Sequence, residues 1–270
     1  MASPQHITQV RDLFDSTAQS WHDRYVDLSC ANDLVLWERK RITADHVRSI
    51  IPFGSKILDA GCGAGNLAIE LAQDGYSVHG IDIAPSMIKL CEDKVSKLGQ
   101  TDLSCTFTTA TLQELHTTVG RQYDCIIGLG LIEYQDDATM GIPDLAALLK
   151  PGDTLILSGP QIFSISKAFG LPHVTLRLLR TALRWVGIPN FHPVASINKY
   201  TLRSLTKLVQ QFGFRRAKYW QHGFASFVLI GPLLGFRGEK KINELLNAAQ
   251  RFVPFGFLAN NLVVSFRKLD

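Results

Sequence analysis

Three glycines at alternate positions, Gly61, Gly63 and Gly65, lie in the stretch ILDAGCGAGNLAIEL, with Asp59 just before them. A second acid, Asp82, follows about 20 residues on, the spacing at which a carboxylate can bind both hydroxyls of a ribose. Glycines in such a turn let the backbone approach a ligand closely. The spacing here is G-x-G-x-G. A dinucleotide phosphate site carries G-x-G-x-x-G, whose last glycine packs helix against strand, and Asn66 stands in that place. A carboxylate beside a pyrophosphate is unfavourable, whereas beside an ammonium group it helps. The chemistry indicated is capture of a ribose-bearing, amine-bearing ligand.

The elements that must hold these residues alternate along the chain. SKILDAG reads as a strand, NLAIELAQDG as a helix closed near Gly75, YSVHGID as a second strand, and APSMIKLCEDKVSKLG as a helix ending at Gly99. LSCTFTTA is a third strand. YDCIIGLG is a fourth, its unbroken apolar run suited to burial on both faces. IPDLAALLKPGDTLILSG gives a helix, a turn and a fifth strand. Later come the helical TLRSLTKLVQQFG, the strand FRRAKYWQH, the helix EKKINELLNAAQRF and a closing strand, NNLVVSFRK. This order predicts an α/β fold with a doubly wound, mostly parallel, Rossmann-like sheet of seven strands. One domain is expected over 1–270. It comprises a helical cover at 1–50, a ligand-binding core at 51–159, and insertions at 160–198 and 222–256 that cap one end of the sheet.

The succession ILDAGCGAG, VHGIDIAPSMI, YDCIIGLGLIEY and LLKPGDTLIL resembles the class I S-adenosylmethionine-dependent methyltransferases, most closely over residues 50–160. The resemblance implies S-adenosyl-L-methionine as cofactor. Gly61, Gly63 and Gly65 would lie under its methionine part, and Asp82 would take the ribose hydroxyls. Ile83 and Met87 would flank the adenine, with Leu129 at the end of the fourth strand. Thr111 stands where the family often has an acid for the adenine amino group, followed by Leu112. The lead-in STAQSWHDRYVD resembles the N-terminal cover of small-molecule members, with Trp21 and Tyr25 four apart on one helix face. WERKR offers Arg39 or Arg41 to the cofactor's carboxylate.

The cofactor brings the reactive methyl group, so the protein need supply only position, apolar walls and, for a hydroxyl acceptor, a base. The candidate bases are Glu133, beside Tyr134 after the fourth strand, and His173, His192 and His222 in the cap segments.

Charge is unevenly spread. From Thr154 to Gly238 lie eleven of the 28 bases and none of the 24 acids. In VTLRLLRTALRWVG, taken as a helix, Arg177, Arg180 and Arg184 fall within about a 60° arc opposite leucines, with Trp185 off that stripe. Phe163, Phe169, Phe191, Phe224 and Phe227 surround it. Two acceptor readings share these residues: a lipophilic or lipid-like molecule reached at an anionic membrane surface through 160–198, or a soluble anionic metabolite held by the arginines. A cofactor-binding regulator without transferase activity is the alternative of another class. Nucleic acid is not expected, since no N-P-P-Y motif or added RNA-binding module is visible. The five scattered cysteines form no C-x-x-C, so no metal is expected, and a cytoplasmic compartment suits free thiols. The start MASPQHITQVRDLFDS has no apolar core of a secretory leader, and GFASFVLIGPLLGF is shorter than the roughly 20 residues of a membrane span.

Overall fold

The computed structural model describes residues 4–28, 30–100, 102–118, 123–135, 139, 141–163, 198–224, 231–250, 252 and 255–270. His173, His192, Arg177, Arg180, Arg184, Trp185, Phe169, Phe191 and Phe227 lie outside these residues.

The sheet runs β3-β2-β1-β4-β5-β7-β6. Its strands are β1 (Lys56–Ala60), β2 (Ser77–Asp82), β3 (Cys105–Thr109), β4 (Tyr123–Leu129), β5 (Leu149–Pro160), β6 (Phe214–His222) and β7 (Asn261–Lys268). β1 to β5 pair in parallel, and β7 runs antiparallel to both β5 and β6. The central strands are buried on both faces, which explains their unbroken apolar runs. Ile57, Ile127, Ile156 and Val263 face one cluster, and their chain neighbours Leu58, Ile126, Leu157 and Val264 face the other.

The helices are α1 (Pro4–Val26), α2 (Ala31–Ile50), α3 (Asn66–Gln73), α4 (Pro85–Leu98), α5 (Leu112–Thr118), α6 (Ile142–Ala147), α7 (Leu202–Gln210) and α8 (Gly231–Ala249). The expected lead-in is thus two helices. The break falls at Cys30, where the Asp33 carboxylate accepts from the Cys30 amide (3.2 Å) and from Arg24 Nε (2.8 Å). That carboxylate caps α2 and ties it to the end of α1.

α8 docks on α2. Phe236 packs on Leu34, as does Trp37, and Asn243 and Asn247 both donate to Glu38 Oε1, at 2.6 and 2.9 Å. No helix among the described residues is long and apolar enough to cross a membrane.

Strand order reverses between β1 and β4. A crevice opens there, beyond the carboxyl ends of the strands, where open α/β sheets bind ligands.

Candidate functional site

A cavity of about 610 Å³ occupies this crevice. Its floor is the glycine turn after β1. The Gly61 and Cys62 amides both donate to Ile81 O, at 2.8 and 2.9 Å, which fastens the turn to β2. Asp82 ends β2 and completes the fastening. Its Oδ2 accepts from the Gly63 amide (3.0 Å) and its Oδ1 from the Ala84 amide (2.9 Å). All three glycines have positive φ. They differ in what surrounds them. A Cβ on Gly63 would meet no atom within 4 Å among the described residues, while one on Gly65 would lie 2.9 Å from Cys91 Sγ. Gly63 therefore faces open space, and Gly65 is a packing glycine at the start of α3.

Of the residues expected to hold the cofactor, Asp59, Gly61, Gly63, Asp82, Ile83, Met87, Thr111, Leu112, Leu129 and Tyr25 all line the cavity. Gly65 stands behind the wall. Thr111 has a second task. Its hydroxyl donates to Glu114 Oε2 (2.8 Å) and accepts from the Glu114 amide (3.2 Å), so it caps α5. T-x-x-E is a capping box, a signal present in the sequence.

α1 and α2 roof the cavity. Phe14 lies edge-on to Tyr134, ring centroids 5.0 Å apart, and tilted to Trp21 at 5.7 Å. Arg39 is buried among these groups, and its Nη2 donates to the Tyr25 hydroxyl at 3.1 Å. Arg41 instead points out, pairing with Asp45 at 3.9 Å. Of the two arginines in WERKR, Arg39 reaches the cavity.

Two carboxyls share the Arg39 end. Burial and the neighbouring Asp82 push Asp59 up to about 7, against the pull of Arg39. Burial pushes Glu133 up to about 7 as well, again opposed by Arg39. Part of the Glu133 side chain is open to the cavity, but its Oε2 is enclosed and has no hydrogen-bond partner among the described residues. Glu133 sits on a single turn, Ile132–Tyr134, after β4. Residues distant in sequence brace that turn. The Asn198 amide donates to Glu133 O (2.8 Å), Asn198 Nδ2 to Gln135 O (2.7 Å), and the Tyr200 hydroxyl to Ile132 O (3.1 Å). His6 lines the cavity too, its Nε2 2.7 Å from Tyr134 O. No local motif announces Asn198, Tyr200 or His6.

His222 does not line the cavity. It is buried beneath α2, its Nδ1 3.6 Å from Glu38 Oε2, and burial lowers its pKa. Of the candidate bases among the described residues, Glu133 alone faces the ligand space.

The strand order, the glycine turn after β1 and the acid ending β2 define a Rossmann-like class I methyltransferase fold. The family described as "Methyltransferase domain" matches residues 22–218. The chain belongs to this family, among the class I S-adenosylmethionine-dependent methyltransferases. It is 30% identical over 154 residues to the ubiquinone biosynthesis O-methyltransferase of Xanthomonas campestris pv. campestris, covering 57% of this chain and 61% of that one. It matches less than two thirds of the length of the ubiquinone-type relatives. Identity to the demethylmenaquinone methyltransferase of Tropheryma whipplei is 24% over 238 residues, 86% of this chain and 94% of that one. The crystal structure of magnesium protoporphyrin IX methyltransferase from Synechocystis PCC 6803 with bound SAH superposes with a TM-score of 0.64 at 21% identity, covering 97% and 99% of the two chains. At that identity the likeness carries the fold.

Proposed function

We propose that this chain methylates a hydroxyl group on a lipophilic small molecule, using S-adenosylmethionine. The donor set fits that cofactor. Asp59 suits an ammonium group, Arg39 a carboxylate, Asp82 a ribose, and Ile83, Met87 and Leu112 an adenine ring. The open face of Gly63 leaves room above the turn. When bound, the cofactor supplies an electrophilic methyl group on a sulfonium.

The observation that carries the reading of the acceptor is the Glu133 carboxyl, whose side chain is partly open to the same cavity and whose Oε2 is enclosed with no hydrogen-bond partner among the described residues. A carboxyl at about 7 is partly ionised at neutral pH, so it can accept a hydroxyl proton and hold it. Ile7, Val10, Phe14 and Trp21 give the roof an apolar surface that suits a lipophilic acceptor. The names of the quinone-pathway relatives support the same class.

The charge asymmetry supports delivery from an anionic surface. Arg203, Lys207, Arg215, Arg216 and Lys218 are exposed on α7 and β6. The same asymmetry also favours a soluble anionic acceptor. Transfer of labelled methyl groups to prenylated phenols, a soluble metabolite pool and RNA, run side by side, separates the readings. The expected result is labelling of the prenylated phenols. Labelling of the soluble pool alone overturns the lipophilic acceptor, and cofactor binding with no labelling of any pool favours a regulator. Co-sedimentation with anionic but not neutral vesicles, weakened by salt, is expected if residues 160–198 meet a membrane. Equal recovery with both vesicle types overturns that contact.

A further inference from the structure

The glycine turn is gripped from behind. α4 sends two side chains, one turn apart, to its carbonyl groups. Cys91 Sγ donates to Gly63 O (3.1 Å), and Lys94 Nζ donates to Ala64 O. The same ammonium donates to Asn66 Oδ1 (2.8 Å). Neither Cys91 nor Lys94 lines the cavity, whereas Asn66 does. The carbonyls of residues 63 and 64 are thus engaged away from the ligand space.

The roof reaches the same point. His22, on α1, has its Nδ1 enclosed with no hydrogen-bond partner among the described residues, so a proton there would find no acceptor, and Asn66 and Lys94 are among the groups that act on the imidazole. The Asp15 carboxylate of α1 accepts from the Ser86 amide at the start of α4 (2.7 Å), which fixes the helix over this corner. The groups facing His22 are Lys94 from α4, Asn66 from α3, and Asp23 and Asp27 from its own end of the roof. Those facing Lys94 are Cys91, Cys62 from the glycine turn, and Lys40 from α2.

We propose that Lys94, Asn66 and His22 form a clamp that positions the cofactor turn and couples it to closure of α1, so that protonating His22 releases the roof and weakens cofactor binding. The proposal rests on the S-adenosylmethionine reading. Asn66 occupies the place where a phosphate-type fingerprint has its third glycine, and a side chain there can be held by a cation that a glycine cannot engage. Lys94 and Asn66 are positioning residues, since Lys94 touches the turn only from outside the cavity.

The pH dependence follows from what surrounds the imidazole. With α1 docked, burial first and Lys94 second hold His22 below its ordinary value, against Asp23, Asn66 and Asp27. Lys94 itself, lowered by burial to about 8, is charged at neutral pH. When α1 lifts into water, His22 returns toward about 6.5. The docked state is therefore favoured above about pH 6.5 and loses that advantage as pH falls below it.

Two measurements on the full chain test this. The first is calorimetric titration with S-adenosylhomocysteine. Lys94→Met should weaken binding about tenfold or more, and Lys94→Arg should recover most of the loss. The second is amide hydrogen exchange over residues 4–26 without ligand, at pH 7.5 and 5.5, corrected for intrinsic rates. The parent should lose protection at the lower pH, and His22→Gln should not. This readout stands even if Lys94→Met fails to fold. A parent that binds no S-adenosylhomocysteine overturns the cofactor reading and the clamp with it. A parent that binds, with Lys94→Met within twofold of it or α1 exchange showing the same pH dependence in parent and His22→Gln, overturns the clamp alone.

Discussion

Replacing Glu133 with Gln separates the cost of a buried carboxyl from its use. In the fold this group is raised from 4.5 to about 7, chiefly by burial. The raised value means that the fold favours the protonated form. Its contribution to stability is full below about pH 4.5 and is lost as pH rises through 7. At about 1.4 kcal/mol per pKa unit, and discounting for the part of the side chain open to the cavity, that loss is roughly 2–3 kcal/mol. A side-chain amide at this position cannot ionise and loses nothing. The Glu133→Gln variant should therefore gain about 1.5–2 kcal/mol on the parent between pH 5 and pH 8, the remainder having been lost already by pH 5. For a chain of this size that is roughly 3–8 °C in melting temperature. Methyl transfer to a hydroxyl acceptor should fall about 100-fold or more, while cofactor affinity stays within a few-fold. Scanning calorimetry at the two pH values and initial rates at pH 7.5 supply the data. A melting difference unchanged between pH 5 and pH 8 refutes the burial argument. A rate within a few-fold of the parent refutes the base.

Three other substitutions probe the walls of the site. Asp82→Ala removes the acceptor of two backbone amides and the expected ribose ligand, so calorimetry should show S-adenosylmethionine binding weakened by about 1.5–3 kcal/mol, and thermal unfolding a loss of stability as well. Gly65→Ala places a methyl group 2.9 Å from Cys91 Sγ at positive φ and should cost about 2–4 kcal/mol by denaturant titration, whereas Gly63→Ala pays only about 1–2 kcal/mol of backbone strain and acts mainly on cofactor affinity. His222→Gln should leave the transfer rate within a few-fold in steady-state assays while changing stability by about 1–2 kcal/mol, because the imidazole lies beside Glu38 and away from the cavity.

What the sequence reveals of this protein depends on how far its causes extend along the chain. The central strands are legible because burial on both faces forces apolar runs, as in β4, whereas the edge strands β3 and β6 are mostly exposed and are marked by their β-branched and aromatic residues and by turn glycines such as Gly213. The break between α1 and α2 is less so, since Cys30 is an unusual residue for a helix cap and the deciding group, Asp33, lies beyond it. Thr111 shows one hydroxyl under two readings, the expected acceptor for an adenine amino group and the observed cap for α5. The capping box engages that hydroxyl in a donor and an acceptor bond to Glu114. Glu133 is legible as a position and illegible as a chemical group. In the sequence it is an ordinary carboxylate after a fourth strand. Its proton affinity comes from enclosure under α1 and α2, on a turn braced by Asn198 and Tyr200. Arg39 then acts on Glu133 and Asp59 together, lowering both. An anion that pairs with Arg39 neutralises part of that pull and raises both carboxyls, unless a cation arrives beside Asp59 at the same time. A ligand that carries an ammonium and a carboxylate on one carbon meets both conditions, so it can hold Asp59 ionised while leaving Glu133 the stronger base.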